Sequence, residues 1–138
     1  MMTLILGKKG SGKTKRLIEL CNQATQQSKG NVVFIEKNGV SIFDVSHQAR
    51  LVVADDYGVK GFDAFYGFIA GMCAGNYDLT DIFVDSTLKI GGADLDQLAD
   101  FAEKLGALSD KAETNVTLSI SADKSEIPAK VLELAKVL

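Results

Sequence analysis

The chain has 138 residues, of which 46% are apolar and 24% charged, and its formal net charge is −3. That length predicts a single domain over 1–138 with one core, and the composition is that of an ordinary globule. The slight acidic excess supplies no global field to draw the chain to nucleic acid or to an anionic membrane.

The basic residues are unevenly spread. Lys8, Lys9, Lys13, Lys15 and Arg16 crowd together near the start, where a polyanion would be met only locally. The early apolar run Leu4-Ile5-Leu6 is too short for a signal peptide or a membrane span. Cys21 and Cys73 lie far apart in apolar helical patterns, lack metal-ligand spacing, and read as small buried thiols in a reducing cytoplasm. His47, the single histidine, has no neighbours of the kind a metal site or a Ser-His-Asp triad needs.

In chain order, Met2 to Leu6 is a short buried-strand pattern ended by Gly7. Leu17, Ile18, Leu20, Cys21 and Ala24 recur at helical spacing, and this helix should stop before Lys29-Gly30. Asn31 to Glu36 reads as a strand. Asn38-Gly39 is the strongest short hairpin signal in the chain and predicts a return strand over Val40 to Phe43. Arg50 to Ala54 is a further candidate strand.

Phe62, Phe65, Tyr66, Ile69, Met72 and Cys73 describe a second helix. Asp81 to Asp85 is a strand whose apolar centre ends on a carboxylate. A third helix begins near Asp94, where Asp94 and Gln97 approximate a capping box, and buries Leu95, Leu98, Ala99, Ala102 and Leu105. Asn115 to Ile120 is a strand. Ser125 is placed to cap a last helix carrying Pro128 in its first turn and Val131, Leu132, Ala135 and Leu138 inside. Alternation of strand and helix predicts an α/β, three-layer α/β/α fold. Its sheet should be mostly parallel, with four or five strands and one β-hairpin, and its binding loops should lie along one edge.

Gly7-Lys8-Lys9-Gly10-Ser11-Gly12-Lys13-Thr14 satisfies G-x-x-x-x-G-K-[ST] directly after a buried strand and directly before an amphipathic helix. Glycines let amide groups approach phosphate oxygens closely, and the helix directs its free N–H groups at the same oxygens. With Lys15 beside them, these residues form the candidate nucleotide site. On this segment the chain resembles the P-loop NTPase superfamily. The resemblance implies Lys13 at the β- and γ-phosphates and Thr14 as a magnesium ligand. It also makes Ile82-Phe83-Val84-Asp85 a Walker B strand, with Asp85 as the second metal residue.

The RecA/AAA-like branch has a polar residue near the end of the following strand, and Ser119 or Ser121 matches it; either is equally a hydroxyl capping its own loop. That branch commonly has Glu after the Walker B Asp, whereas Ser86 stands here. Hydrolysis would then depend on another group, and the catalytic candidates are Glu36, Asp55, Asp56 and Ser121. Scarce arginines, only Arg16 and Arg50, disfavour a small-molecule kinase with an arginine-bearing lid. Arg50 is read as a surface ion pair with Asp44, Asp55 or Asp56 sooner than as an arginine finger.

The expectation is a protein that binds ATP, or another nucleoside triphosphate such as GTP, with Mg2+. It would act as a weak ATPase or ATP-dependent switch. A non-hydrolysing regulatory or scaffold protein is the alternative. Gly67, Gly71 and Gly75 stand four apart on the second helix, each lowering helix stability by about 1 kcal/mol relative to Ala. The plain reading is tight packing of this helix on the sheet; the other is a surface for a protein partner or self-association.

Overall fold

A computed structural model describes residues 1–138. In β1 (Met2–Gly7) both Leu4 and Ile5 are buried although they point to opposite faces, the mark of a strand covered on both sides. The chain continues through α1 (Lys13–Gln27), β2 (Asn31–Glu36), β3 (Ala49–Val53), a 3-10 turn over Ala54–Tyr57, α2 (Phe62–Gly75) and β4 (Leu79–Val84). After these come α3 (Thr87–Gly91), α4 (Leu95–Ala112), β5 (Asn115–Ser121), a 3-10 turn over Lys124–Glu126, α5 (Ala129–Leu134) and β6 (Lys136–Val137).

The six strands form one sheet in the order β3-β2-β4-β5-β1-β6, and every strand pair is parallel. The molecule is an α/β/α sandwich, a general architecture of Rossmann-like and P-loop-like proteins. Its two faces differ. Alternate residues Ile35, Ile82, Val84, Leu118 and Ile120 join α2, α4 and α5 in a cluster of 25 buried residues. Val32, Phe34, Phe83 and Ile5 face the other way, with Leu17 and Cys21 of α1, in a cluster of 8. Asp94 caps α4 as expected, its carboxylate accepting from the N–H groups of Asp96 and Gln97. No helix is long and apolar enough to cross a membrane.

Two expectations about the sheet fail. There are six strands, all parallel, and the β-hairpin is absent. The chain does turn at Asn38-Gly39, where Val40 N donates to Asn38 O, but it then coils, with Asp44 N and Val45 N both donating to Ser41 O. A return strand over Val40 to Phe43 has nowhere to pair, because β3 and β4 already occupy both edges of β2. β3 earns its place by burying Ala49 and Val52, whereas Val40, Ile42 and Phe43 are exposed. The last helix is also shorter than its pattern: α5 stops at Leu134, and Lys136–Val137 pairs with the free edge of β1. Its predicted cap moves with it. Asp123, not Ser125, caps the 3-10 turn, and Pro128 precedes α5.

Candidate functional site

Because all strands run the same way, their C-terminal ends share one edge of the sheet. Gly7 closes β1 there and the chain rises through Lys8–Gly12 into α1. Gly10 and Gly12 have φ of 86° and 87°, a region that favours glycine, and Gly12 in that conformation is the N-cap of α1. Gly7 sits in a crowded place: a Cβ there would lie 2.5 Å from Ser11 Oγ, and that hydroxyl would have to turn away. No side chain caps α1 and its first turn carries no acid. The N–H groups of Lys13, Thr14 and Lys15 therefore point outward with the positive end of the helix.

The loop is held from within. Ser11 N donates to Lys8 O at 3.1 Å, and the Lys13 amine donates to the same carbonyl at 2.9 Å. Gly7 N donates to Ala122 O, fastening the loop to the segment beyond β5. In that segment Asp123 caps the turn over Lys124–Glu126. Hydrogen bonds from the Ser125 hydroxyl and N–H, helped by the nearby charge of Lys8, hold its carboxyl below the usual range.

Asp85 follows the last residue of β4 on the α1 side of the sheet and is buried. The Thr14 hydroxyl lies 3.0 and 3.1 Å from its two carboxylate oxygens. Ser119 of β5 donates to the same carboxylate at 2.9 Å and accepts from Ser86 N at 2.8 Å. The order β4-β5-β1 makes this possible, since β5 lies between the carboxylate and the loop. Ser86 adopts φ 54°, ψ 54° where the chain turns from β4 into α3, and its N–H faces Ser119.

These groups line a cleft of about 500 Å³. Lys9, Gly10, Gly12, Lys13, Thr14 and Lys15 line it from the loop side, with Asp85, Ser119 and Ser121 opposite; Gly7, Lys8 and Ser11 shape the loop from behind. Leu88 and Lys89 of α3 complete the wall. Sequence reasoning passed over them; their signal was position, immediately after a carboxylate-ended strand at the binding edge. Four lysines and a helix N-terminus gather positive charge around one cleft, in a chain that is acidic overall.

Compared with protein-family models, the chain matches none. Compared with curated proteins, it matches none.

The catalytic candidates separate. Ser121 lines the cleft, exposed, opposite Gly7 in the β1–β5 register. Glu36 ends β2, next to the strand of Asp85, and is buried on the α1 side; its Oε1 accepts from Ser41 N at 3.0 Å and its Oε2 has no partner. Asp55 and Asp56 stand beyond β3, four strand spacings from β1, or about 19 Å. Asp55 is engaged there with Lys37 at 3.0 Å. Arg50 enters no ion pair; its guanidinium lies 3.5 Å from the Tyr57 hydroxyl. Gly67, Gly71 and Gly75 do not pack on the sheet: all three are exposed, and a Cβ on any of them would meet nothing within 4 Å.

Proposed function

We propose that the chain binds a nucleoside triphosphate, with ATP as the default, together with magnesium at the Gly7–Thr14 loop, and works as a weak ATPase or ATP-dependent switch. One observation carries this reading. Thr14, Asp85 and Ser119, from three different elements, meet within hydrogen-bond distance in a lysine-lined cleft, beside a loop and helix end whose N–H groups point outward. Lys13 would exchange the Lys8 carbonyl for phosphate oxygens. The outward N–H groups of the first turn of α1 would take the oxygens next to them.

Thr14 and Asp85 fit magnesium. Both offer oxygen, and this ion is held by one or two carboxylates together with substrate phosphates instead of an all-protein cage. Bound there it would supply positive charge to the phosphate oxygens. The place of Ser119 on the strand between Asp85 and the loop supports a likeness to the RecA/AAA-like branch.

A second reading, a nucleotide-binding regulatory or scaffold protein that turns over little, is favoured by two observations. Ser86 follows Asp85 where a water-activating carboxylate might stand, and Glu36 is covered and tied to Ser41. Calorimetric titration with nonhydrolysable ATP and GTP analogues, with magnesium and with chelator, tests the shared claim. The expected result is saturable binding that magnesium strengthens and Lys13→Ala abolishes; no binding of either analogue would sink it. Phosphate release by the wild type, absent in Lys13→Ala, then separates hydrolysis from the second reading.

A further inference from the structure

Two features at the β3 edge of the sheet have no partner within the chain, and they complement one another. The first is the crossover from β2 to β3. Its tip presents Val40, Ile42 and Phe43 at 73%, 55% and 95% exposure. It is not slack: the Asn22 side chain of α1 donates to Asp44 O and accepts from Ser46 N, and Val45 is buried in the α1-side cluster. Asn22 and Val45 thus fix the tip on the α1 face, with its apolar side chains outward.

The second lies on the opposite face. A groove of about 370 Å³ runs between α2 and the edge of the sheet, walled by Val33, Val52, Tyr57, Phe68, Met72 and Leu79. Gly71 and Gly75 line it as well, and their missing side chains leave it open. Arg50 stands in its wall without an ion-pair partner, and Asp44, next to Phe43, has none either.

We propose that tip and groove are the two halves of a head-to-tail contact between copies of this chain, with Phe43 of one copy in the groove of the next and Asp44 against Arg50. An apolar cavity of about 150 Å³ suffices to hold benzene, so the groove has room for the Phe43 ring and part of Ile42. The acidic residue beside the ring meets the one free cation of the groove, which fixes the direction of insertion. The two halves lie on opposite faces of the sheet, so the contact is heterologous. An open assembly keeps a free tip at one end and a free groove at the other, and it grows until it closes into a ring or continues as a filament. It also accounts for Gly71 and Gly75, which weaken α2 while nothing inside the chain needs them small. None of this rests on the nucleotide reading.

The test is complementation followed by sedimentation velocity across a concentration range, with circular dichroism as the check on folding. Wild type should grow with concentration past a dimer or to a closed ring, and Lys13→Ala should behave the same. Phe43→Asp removes the tip and Gly71→Leu fills the groove, with Gly75→Leu as a second way to fill it. Each alone should weaken association at least tenfold. Mixed in equal amounts, a tip variant and a groove variant retain one intact half each and should form a heterodimer that grows no further. A wild type that stays monomeric at every concentration overturns the proposal. So does a Phe43→Asp variant that associates like the wild type, or a folded pair that fails to combine.

Discussion

Thr14 and Asp85 are 71 residues apart in sequence, and the hydroxyl of one lies 3.0 and 3.1 Å from both carboxylate oxygens of the other. α1 carries the first residue and β4 delivers the second. Their meeting turns two separate segments into one site. If both hold the same magnesium ion, their substitutions should act together. Thr14→Ala and Asp85→Asn should each weaken ATP binding about tenfold in magnesium, equivalent to about 1.4 kcal/mol. In chelator each should change it little. The double variant should lose less than the sum of the singles, because the residues share a partner. Titrations of the three variants in both buffers check this, and equal losses with and without magnesium would contradict it.

Glu36 offers a different test. It is the candidate carboxylate nearest Asp85 by strand order, one strand spacing away, but it is buried and tied to Ser41 N. If the crossover tip moves and Glu36 acts as general base, Glu36→Gln should lower phosphate release by about 100-fold or more while analogue affinity is kept. Glutamine is nearly isosteric and can still accept from Ser41 N, so the melting temperature should stay close to that of the wild type. Unchanged turnover would assign Glu36 to fastening the tip alone. Asp55→Asn and Asp56→Asn, both exposed and distant, should leave turnover unaltered.

Much of this arrangement was legible from local pattern. The glycine spacing of the loop, the apolar strand ending on Asp85 and the Asp94 cap are each local patterns, and local chemistry dictates them. What misled was also local. Asn38-Gly39 does turn the chain, but whether a hairpin follows depends on an open strand edge, and β3 and β4 fill both edges of β2. Residues 136 and 137 continue a helical pattern, yet the free edge of β1 claims them. Gly67, Gly71 and Gly75 were legible as a smooth stripe. Which way the stripe faces depends on the packing of α2, which periodicity leaves open when both sides of a helix are apolar or small. The Ser119–Asp85 bond needed the strand order, which no spacing encodes.

Ser86 sits at φ 54°, a conformation that is unfavourable by about 1 kcal/mol for a residue with a Cβ. The conformation turns the chain from β4 into α3, and the Ser86 N–H donates to Ser119 at this corner. Ser86→Gly should keep the bond and raise stability by about 0.5–1 kcal/mol, partly offset by the freedom glycine gains when unfolded. Ser86→Val, β-branched, should lose stability and loosen Asp85. Denaturant midpoints check both, and a Ser86→Gly variant less stable than wild type would mean the side-chain hydroxyl, 3.4 Å from Asp85, matters more than the strain.

Cys21 supplies the last prediction, through pH. It lies fully buried under the sheet on α1, and burial, with the charge of Asp81 adding to it, pushes its thiol from 9.0 up to about 12. The folded-state value is the raised one, so the thiol keeps its proton in the native chain while an unfolded chain begins to release it above 9.0. Stability from this group is therefore complete below that pH and declines as pH rises toward about 12, by at most about 1.4 kcal/mol per pH unit. Urea midpoints measured from neutral to alkaline pH should fall across this window. In Cys21→Ala the neutral-pH stability should be lower, because the side chain is truncated, but the alkaline decline should be shallower. Lys130, also raised by its bond with Glu103, stays in both proteins and cancels from the comparison. Parallel curves for the two proteins would show that the thiol ionises as readily inside the fold as outside it.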